Sequence, residues 1–132
     1  MTDTPLFLTL AEVIEIHAYQ IGHFGGSQGI RDIDLLKSAV AMPEMSYAGI
    51  MLHKDVYEMA AAALFHIAEN HPFIDGNKRT GAMAALVFLD INGIDFNASD
   101  KDFTEMVLSV ASGKMQKHEI AEFLKKYSSV RG

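Results

Sequence analysis

Apolar residues recur at helical spacing along most of the chain, whereas the alternating pattern typical of strands is weak throughout. Thr9 opens the first helical segment and Glu12 follows three residues later, which is the pattern of a capping box. Gly22 is predicted to end that helix. The pattern predicts helices within residues 9–22, 32–43, 55–71, 77–93, 99–113 and 117–127. The predicted fold class is therefore all-α, a compact helical bundle.

Two central segments, 55–71 and 77–93, are rich in alanine and apolar on nearly every face, so both are predicted to be buried helices. Asp55 is the expected N-cap of the first. The preceding segment, "EMSYAGIMLHK" (44–54), contains a glycine and has no helical face. It is predicted to form either a short β-hairpin or an extended loop. With no linker long enough to divide it, the chain 1–132 is interpreted as a single domain.

Composition narrows the class of protein. Apolar residues make up 49% and charged residues 21%, which is an ordinary globular mixture. The absence of cysteine agrees with a reducing compartment. The first residues lack a signal-peptide pattern, and no apolar run reaches the roughly 20 residues that cross a bilayer. The net charge of −6 argues against broad nucleic-acid binding. We therefore expect a cytoplasmic protein with no membrane and no nucleic-acid partner.

A polar stretch, "HPFIDGNKRTG", interrupts the two buried helices. Pro72 disfavours helix at His71, and Gly76 allows backbone conformations that are closed to other residues. Asn77 then opens the next helix. The first amides of that helix lack internal partners, and Lys78 adds a cation in the same turn.

Arg79 adds a second cation and a forked guanidinium to this helix start, so the segment has the parts of a phosphate site. A carboxylate beside phosphates, here Asp75, commonly holds Mg²⁺. His71 lies four residues earlier, and imidazole groups exchange protons near neutral pH. The order of these groups indicates nucleotidyl or phosphoryl transfer. The competing interpretation is a capped loop with solvated charges.

The stretch "HPFIDGNKR" resembles the Fic motif, HxFx(D/E)GN(G/K)R. Its lysine form followed by "TG" resembles the death-on-curing branch of that family, the Doc toxins. A second stretch, "FGGSQGIRDIDLLKSAVAMP" (24–43), is similar to the amino-terminal signature of Doc-like proteins. The resemblance implies a Fic-type helical bundle whose active-site loop lies between the two central helices. It also implies that "MSYAGIMLHK" (45–54) occupies the place of a flap that aligns the target, with an ordinary loop as the alternative.

The resemblance assigns roles by position. It makes His71 the general base on a target hydroxyl and Asp75 the Mg²⁺ ligand. Gly76 and Asn77, with the following helix start, would form the anion hole, and Arg79 would contact nucleotide phosphates.

Two further motif positions, Pro72 and Phe73, are implied to be structural: the proline shapes the loop, and the phenylalanine anchors it in the core. Lys78 stands where AMP-transferring relatives have glycine, and Ala82 stands where they have a second arginine. Doc-like proteins share both departures. The resemblance therefore favours a phosphotransferase that moves phosphate from Mg-ATP to a translation elongation factor, with Lys78 among the phosphate-binding residues. Protein adenylylation and a catalytically silent binding protein remain the alternatives.

Many Fic proteins carry an inhibitory helix with the motif (S/T)xxxE(G/N), and this sequence has no match to it. Family resemblance therefore implies that inhibition comes from a separate protein. The expected partner is a cognate antitoxin with a segment that folds on binding.

Three histidines outside the motif have structural interpretations, and one arginine does not. His66 is predicted to be a packing residue of a buried helix, and His53 a loop or surface residue. His17 is expected on a polar surface rather than in the site. Arg31 has no structural explanation in the sequence and is a candidate for supporting the site.

Overall fold

The computed structural model describes residues 4–132. Its helices are α1 (Leu10–Phe24), α2 (Ile33–Ala41), α3 (Val56–Asn70), α4 (Asn77–Ile91), α5 (Asp100–Ala111) and α6 (Lys117–Lys126). Its strands are β1 (Ser46–Tyr47), β2 (Ile50–Met51), β3 (Ile94–Phe96) and β4 (Ser128–Val130). One turn of 3-10 helix, Met42–Glu44, follows α2.

Side-chain caps start the helices where the sequence predicts them. Thr9 and Glu12 form the reciprocal capping box of α1. Asp32 and Asp55 accept backbone N–H groups at the starts of α2 and α3. Each such cap satisfies an amide that has no partner within its helix.

The predicted end of α1 at Gly22 is wrong, because the helix continues to Phe24 and is capped by Gly25. Gly25 has a positive φ of 84°, which a glycine adopts at little cost, whereas Gly22 keeps a helical backbone. A glycine inside a helix costs only about 1 kcal/mol, so it does not end a helix by itself.

Two small antiparallel sheets accompany the helical bundle. β1 pairs with β2, so the segment that the sequence left open forms a hairpin rather than an extended loop. β3 pairs with β4, a pairing that the sequence pattern did not predict. Strands of three residues are too short to carry a clear alternating pattern, and tertiary packing brings these two together. The all-α class is confirmed, since six helices make up most of the described residues.

Helices α3 and α4 pack against each other in the centre of the molecule, with α1, α2 and α6 around them. Gly81 permits their close approach, because a Cβ atom there would lie 3.0 Å from the carbonyl oxygen of Leu64. A second apolar cluster lies under the loop between α3 and α4 and includes Val13, Leu36 and Phe73. The polar stretch therefore packs against buried apolar side chains.

None of the helices in residues 4–132 is both long enough and apolar enough to span a bilayer.

Candidate active site

The carboxyl end of α3 presents His71 in an unusual conformation. His71 is the C-cap and has a left-handed backbone, with φ 47° and ψ 53°. This region is uncommon for residues other than glycine and is further disfavoured before a proline. The surrounding structure must hold such a residue in place. The imidazole itself is on the surface, where a substrate can reach it.

Arg31 supplies that support from the glycine-rich segment before α2. Its Nε donates to the carbonyl of His71 at 2.6 Å, and its Nη2 donates to the carbonyl of Asn70 at 2.9 Å. The last carbonyls of a helix lack internal donors, so one guanidinium satisfies two of them. Arg31, the candidate for supporting the site, thus bonds directly to the residues where α3 ends and the polar loop begins.

The backbone of the glycine-rich segment also pairs with the polar loop. The carbonyl of Pro72 accepts the amides of Arg31 and Asp32 at 2.7 and 3.0 Å. The amide of Ile74 donates to the carbonyl of Gly29 at 3.1 Å. These bonds connect the two sequence regions that carried the family resemblance.

Phe73 is the apolar anchor of the loop and is only 1% exposed. Its ring stacks on His17, with ring centres 3.8 Å apart and planes 3° from parallel. The Nε2 atom of His17 also lies 2.8 Å from the carbonyl oxygen of Asp75, within hydrogen-bond distance. His17 therefore contacts the loop in two ways, through its ring face and through its Nε2 atom.

The expectation that His17 faces a polar surface is wrong, because the side chain is 4% exposed. Its position gave a usable signal: Val13, His17 and Ile21 are spaced four residues apart and share the buried face of α1. A histidine within an apolar stripe needs a polar partner, and the loop backbone provides it.

Asp75 has a carboxylate that is oriented by two backbone amides. Oδ2 accepts the N–H of Ser27 at 3.1 Å, and Oδ1 accepts the N–H of Gly76 at 2.8 Å. These two hydrogen bonds, with smaller contributions from the charges of Arg79 and His17, lower the pKa of Asp75. The group is therefore ionised at neutral pH.

The carboxylate of Asp75 fits Mg²⁺ as one ligand among several. Residues 4–132 contain no cluster of three or more acidic or histidine side chains that could hold a metal by themselves. Mg²⁺ commonly takes one or two carboxylates and completes its shell with water and substrate phosphates. An ionised carboxylate beside an anion site is the donor that this arrangement needs.

Asn77 closes the loop with its side chain. Its Oδ1 accepts the amide of Phe73 at 2.9 Å, and its Nδ2 donates to the carbonyl of the same residue at 3.0 Å. The side-chain amide is therefore committed to the loop, and only the backbone N–H of Asn77 remains for an anion.

The start of α4 offers unpaired backbone donors. Gly76 is its N-cap, with a left-handed φ of 77° and no side-chain cap. Among residues 4–132, no acceptor bonds the amides of Asn77, Lys78 and Arg79. Three free N–H groups at the positive end of a helix make a ready anion site.

The two cations of this turn are placed differently. Nη2 of Arg79 donates to the carbonyl of Gly25 at 3.0 Å, and the guanidinium carbon lies 5.8 Å from the centre of the Phe24 ring. Arg79 therefore sits beside the loop with donors to spare. Lys78 is exposed and lines a shallow depression beside the end of α5, with Leu108 among its neighbours there.

Two histidines lie away from this loop. His66 is partly buried on α3 and packs edge-on against Phe65, which agrees with the packing role predicted for it. His53 lies in the loop after the hairpin, as predicted, but its side chain is buried there and is only 6% exposed. The segment after the hairpin folds back against the body of the protein, which the local sequence did not reveal.

The fold and the loop define a class of small helical domains that hold a histidine and a carboxylate beside the amino end of a central helix. A family model described as Fic/DOC family matches residues 7–89, and the chain belongs to this family. The resemblance of the "HPFIDGNKR" motif is thereby confirmed.

Two curated relatives are similar over much of the chain. Toxin Doc of Mycolicibacterium smegmatis (strain ATCC 700084 / mc(2)155) is 41% identical over 87 residues, which cover 65% of this chain and 67% of the relative. Protein kinase doc of Escherichia phage P1 is 29% identical over 122 residues, which cover 87% of this chain and 90% of the relative.

Proposed function

We propose that this protein is a Doc-like toxin that transfers a phosphoryl group from Mg-ATP to a hydroxyl group of a target protein. One observation carries the proposal: an accessible His71 and an ionised Asp75 flank three free amides at the start of α4. The names of the two relatives, Toxin Doc and Protein kinase doc, support both parts of it. The proposed target class is a translation elongation factor, and the proposed location is the cytoplasm.

Each group has a proposed task. His71 takes the proton of the target hydroxyl as its oxygen approaches the phosphorus. The amides of Asn77, Lys78 and Arg79 bind phosphate oxygens and stabilise their charge. Asp75 would hold Mg²⁺, which when bound neutralises phosphate charge. The guanidinium of Arg79 adds positive charge beside the loop, and the exposed Lys78 side chain is proposed to turn toward the phosphates when a nucleotide binds.

Phosphoryl transfer is preferred to AMP transfer for a structural reason. Ala82 occupies the position of the second phosphate-binding arginine of AMP-transferring relatives, and it is only 8% exposed. Its methyl side chain has no donor and no charge, so it cannot replace that phosphate contact. Lys78 adds a flexible cation where those relatives have glycine.

Labelled ATP tests the proposal. Purified protein is incubated with a translation elongation factor, Mg²⁺ and ATP labelled at either the α or the γ phosphate. Label from the γ phosphate is expected on the target. Label from the α phosphate would instead establish AMP transfer, and label from neither would contradict both activities on this target.

The base assignment is tested with His71→Ala, and His118→Ala on α6 is the matched control. His118 is exposed and distant in sequence from the loop. Transfer is expected to disappear in the first variant and to persist in the second, with both proteins folded by circular dichroism. A wild-type rate in folded His71→Ala would exclude this residue as the base.

A cognate antitoxin is the proposed regulator, and exposed apolar side chains around the loop suggest where its segment binds. Phe24 is 65%, Ile74 58% and Ile33 41% exposed. Covering them would both bury apolar surface and block access to His71. Ile74→Glu should weaken inhibition by the antitoxin, whereas Val130→Glu on β4, at another exposed apolar side chain, should not. Equal inhibition of both variants would contradict this binding surface.

A further inference from the structure

A second cluster of reactive groups lies between α3, α6 and the segment after the hairpin. The Lys117 ammonium is placed to donate to Nε2 of His66 at 3.0 Å and to Nε2 of His53 at 3.5 Å. Both imidazoles then act as acceptors and are neutral. No carboxylate in residues 4–132 lies within ion-pair distance of Lys117. Lys117 is therefore partly buried with two neutral hydrogen-bond partners and no carboxylate.

The cluster opens onto a cavity of about 530 Å³. Lys54, Lys125 and His118 line it together with Lys117. Asp55, Glu58 and Glu122 line it too, and the first two of these carboxylates bond to backbone amides. Asp55 accepts the amide of Glu58, and Glu58 accepts the amide of Lys54. Within residues 4–132 neither Lys54 nor Lys125 forms an ion pair, so both ammonium groups can attract an anionic group in the cavity.

We propose that Lys117 is a nucleophilic amine that attacks small acyl phosphates and becomes acylated at Nζ. The geometry is that of a nucleophile with proton acceptors within hydrogen-bond distance. Burial is the cause that lowers the pKa of the Lys117 ammonium, which enlarges the share of neutral amine.

The reaction needs only Lys117, His66, solvent and the acyl phosphate. The ammonium first releases one proton to the solvent, because the neighbouring imidazoles stay neutral. Nζ then forms a bond to the acyl carbon, and the bond from that carbon to the phosphate oxygen breaks with its electron pair. The second nitrogen proton is transferred to the departing phosphate oxygen, with Nε2 of His66 accepting it only transiently, and the group leaves as hydrogen phosphate. The product is a neutral amide, so acylation removes the charge of Lys117.

Acyl phosphates fit this cavity better than larger acyl donors. Their phosphate carries the negative charge that Lys54 and Lys125 can attract, and the molecule is small relative to about 530 Å³. The inference does not depend on the proposed phosphotransferase activity, because the cluster shares no residue with the loop between α3 and α4.

Acetyl phosphate is the probe. The folded wild-type protein is incubated with it, and acetylation at each lysine is followed over time by mass spectrometry. Lys114 is the matched control, since it is exposed and lies three residues away. Because burial enlarges the share of neutral amine at Lys117 and Nε2 of His66 lies within hydrogen-bond distance of Nζ, we expect Lys117 to react at least about tenfold faster than Lys114. A rate at Lys117 equal to or below that at Lys114 would overturn the proposal.

A double variant separates nucleophile activation from simple access. His53→Gln with His66→Gln keeps polar side chains but removes both imidazoles. We expect acetylation of Lys117 to fall to the rate of Lys114 while the circular dichroism spectrum is retained. An unchanged rate at Lys117 in the folded double variant would refute the part assigned to the histidines. The wild-type comparison with Lys114 remains decisive if the variant does not fold.

Discussion

Replacing Arg31 with methionine tests whether the end of α3 controls the chemistry of the loop. The substitution removes two hydrogen bonds to carbonyls, at 2.6 and 2.9 Å, and keeps the aliphatic stem. A hydrogen bond to a charged group contributes about 1.5–3 kcal/mol. Arg31 is exposed, so water replaces part of this, and the expected loss is about 1–2 kcal/mol in total. The corresponding fall in Tm is about 3–8 °C.

The same substitution should slow catalysis by more than its stability loss suggests. His71 has a left-handed backbone that its own sequence disfavours, and Arg31 bonds directly to its carbonyl. Without that bond the segment can relax and move the imidazole away from the phosphate site. A displacement of about 1 Å can cost about 100-fold in rate. We expect kcat to fall about 10- to 100-fold in the γ-labelled ATP assay, with a smaller change in KM for ATP.

Arg131→Met is the matched control, because it also removes a bonded guanidinium. Arg131 donates to the carboxylates of Asp90 and Asp95 at the far end of α4. This control should lower Tm and leave kcat unchanged. If Arg31→Met lowers Tm while kcat stays at the wild-type value, the positioning argument is refuted. If neither quantity changes, the hydrogen bonds do not stabilise the protein in solution.

Three further predictions concern acid stability, the carboxylate and the loop anchor. Burial, and then the charge of Lys117, lower the pKa of His66 to about 4. The unfolded chain therefore binds a proton that the folded one does not between about pH 6.5 and 4, and the free energy of unfolding should fall by about 1–2 kcal/mol as the pH drops through this window. Urea titrations of wild type and His66→Gln at several pH values check this. If the free energy of unfolding changes equally with pH in the two proteins, the prediction is contradicted. Gly26→Ala should reduce transfer more than Gly25→Ala. A Cβ at residue 26 would lie 2.6 Å from Oδ2 of Asp75, whereas one at residue 25 meets nothing within 4 Å. Equal kcat values of the two variants would contradict this prediction. Phe73→Ala should lower the free energy of unfolding by about 3–5 kcal/mol in urea, as expected for a fully buried aromatic ring, and a loss below about 1 kcal/mol would contradict its anchoring role.

Local signals account for the helices and their starts. The caps at Thr9, Asp32 and Asp55 could be read directly because each acts within three residues of its own position. The alanine-rich central pair could be read from composition, since a helix that is apolar on every face must be buried. The "HPFIDGNKR" motif indicated the helix start at Asn77, because Pro72 and Gly76 are local signals that interrupt the helical pattern just before it.

The tertiary structure alone decided what surrounds that motif. The sequence placed His71, Asp75 and the start of α4 in order along the chain. It could not show that Arg31 bonds to the carbonyl of His71 across 40 residues, or that His17 stacks beneath Phe73. Hydrogen bonds and ring contacts between distant segments depend on how whole helices pack, and a local pattern carries no record of that packing. The sequence therefore identified the reactive groups that lie close together along the chain, whereas the contacts that hold those groups in place depend on the fold.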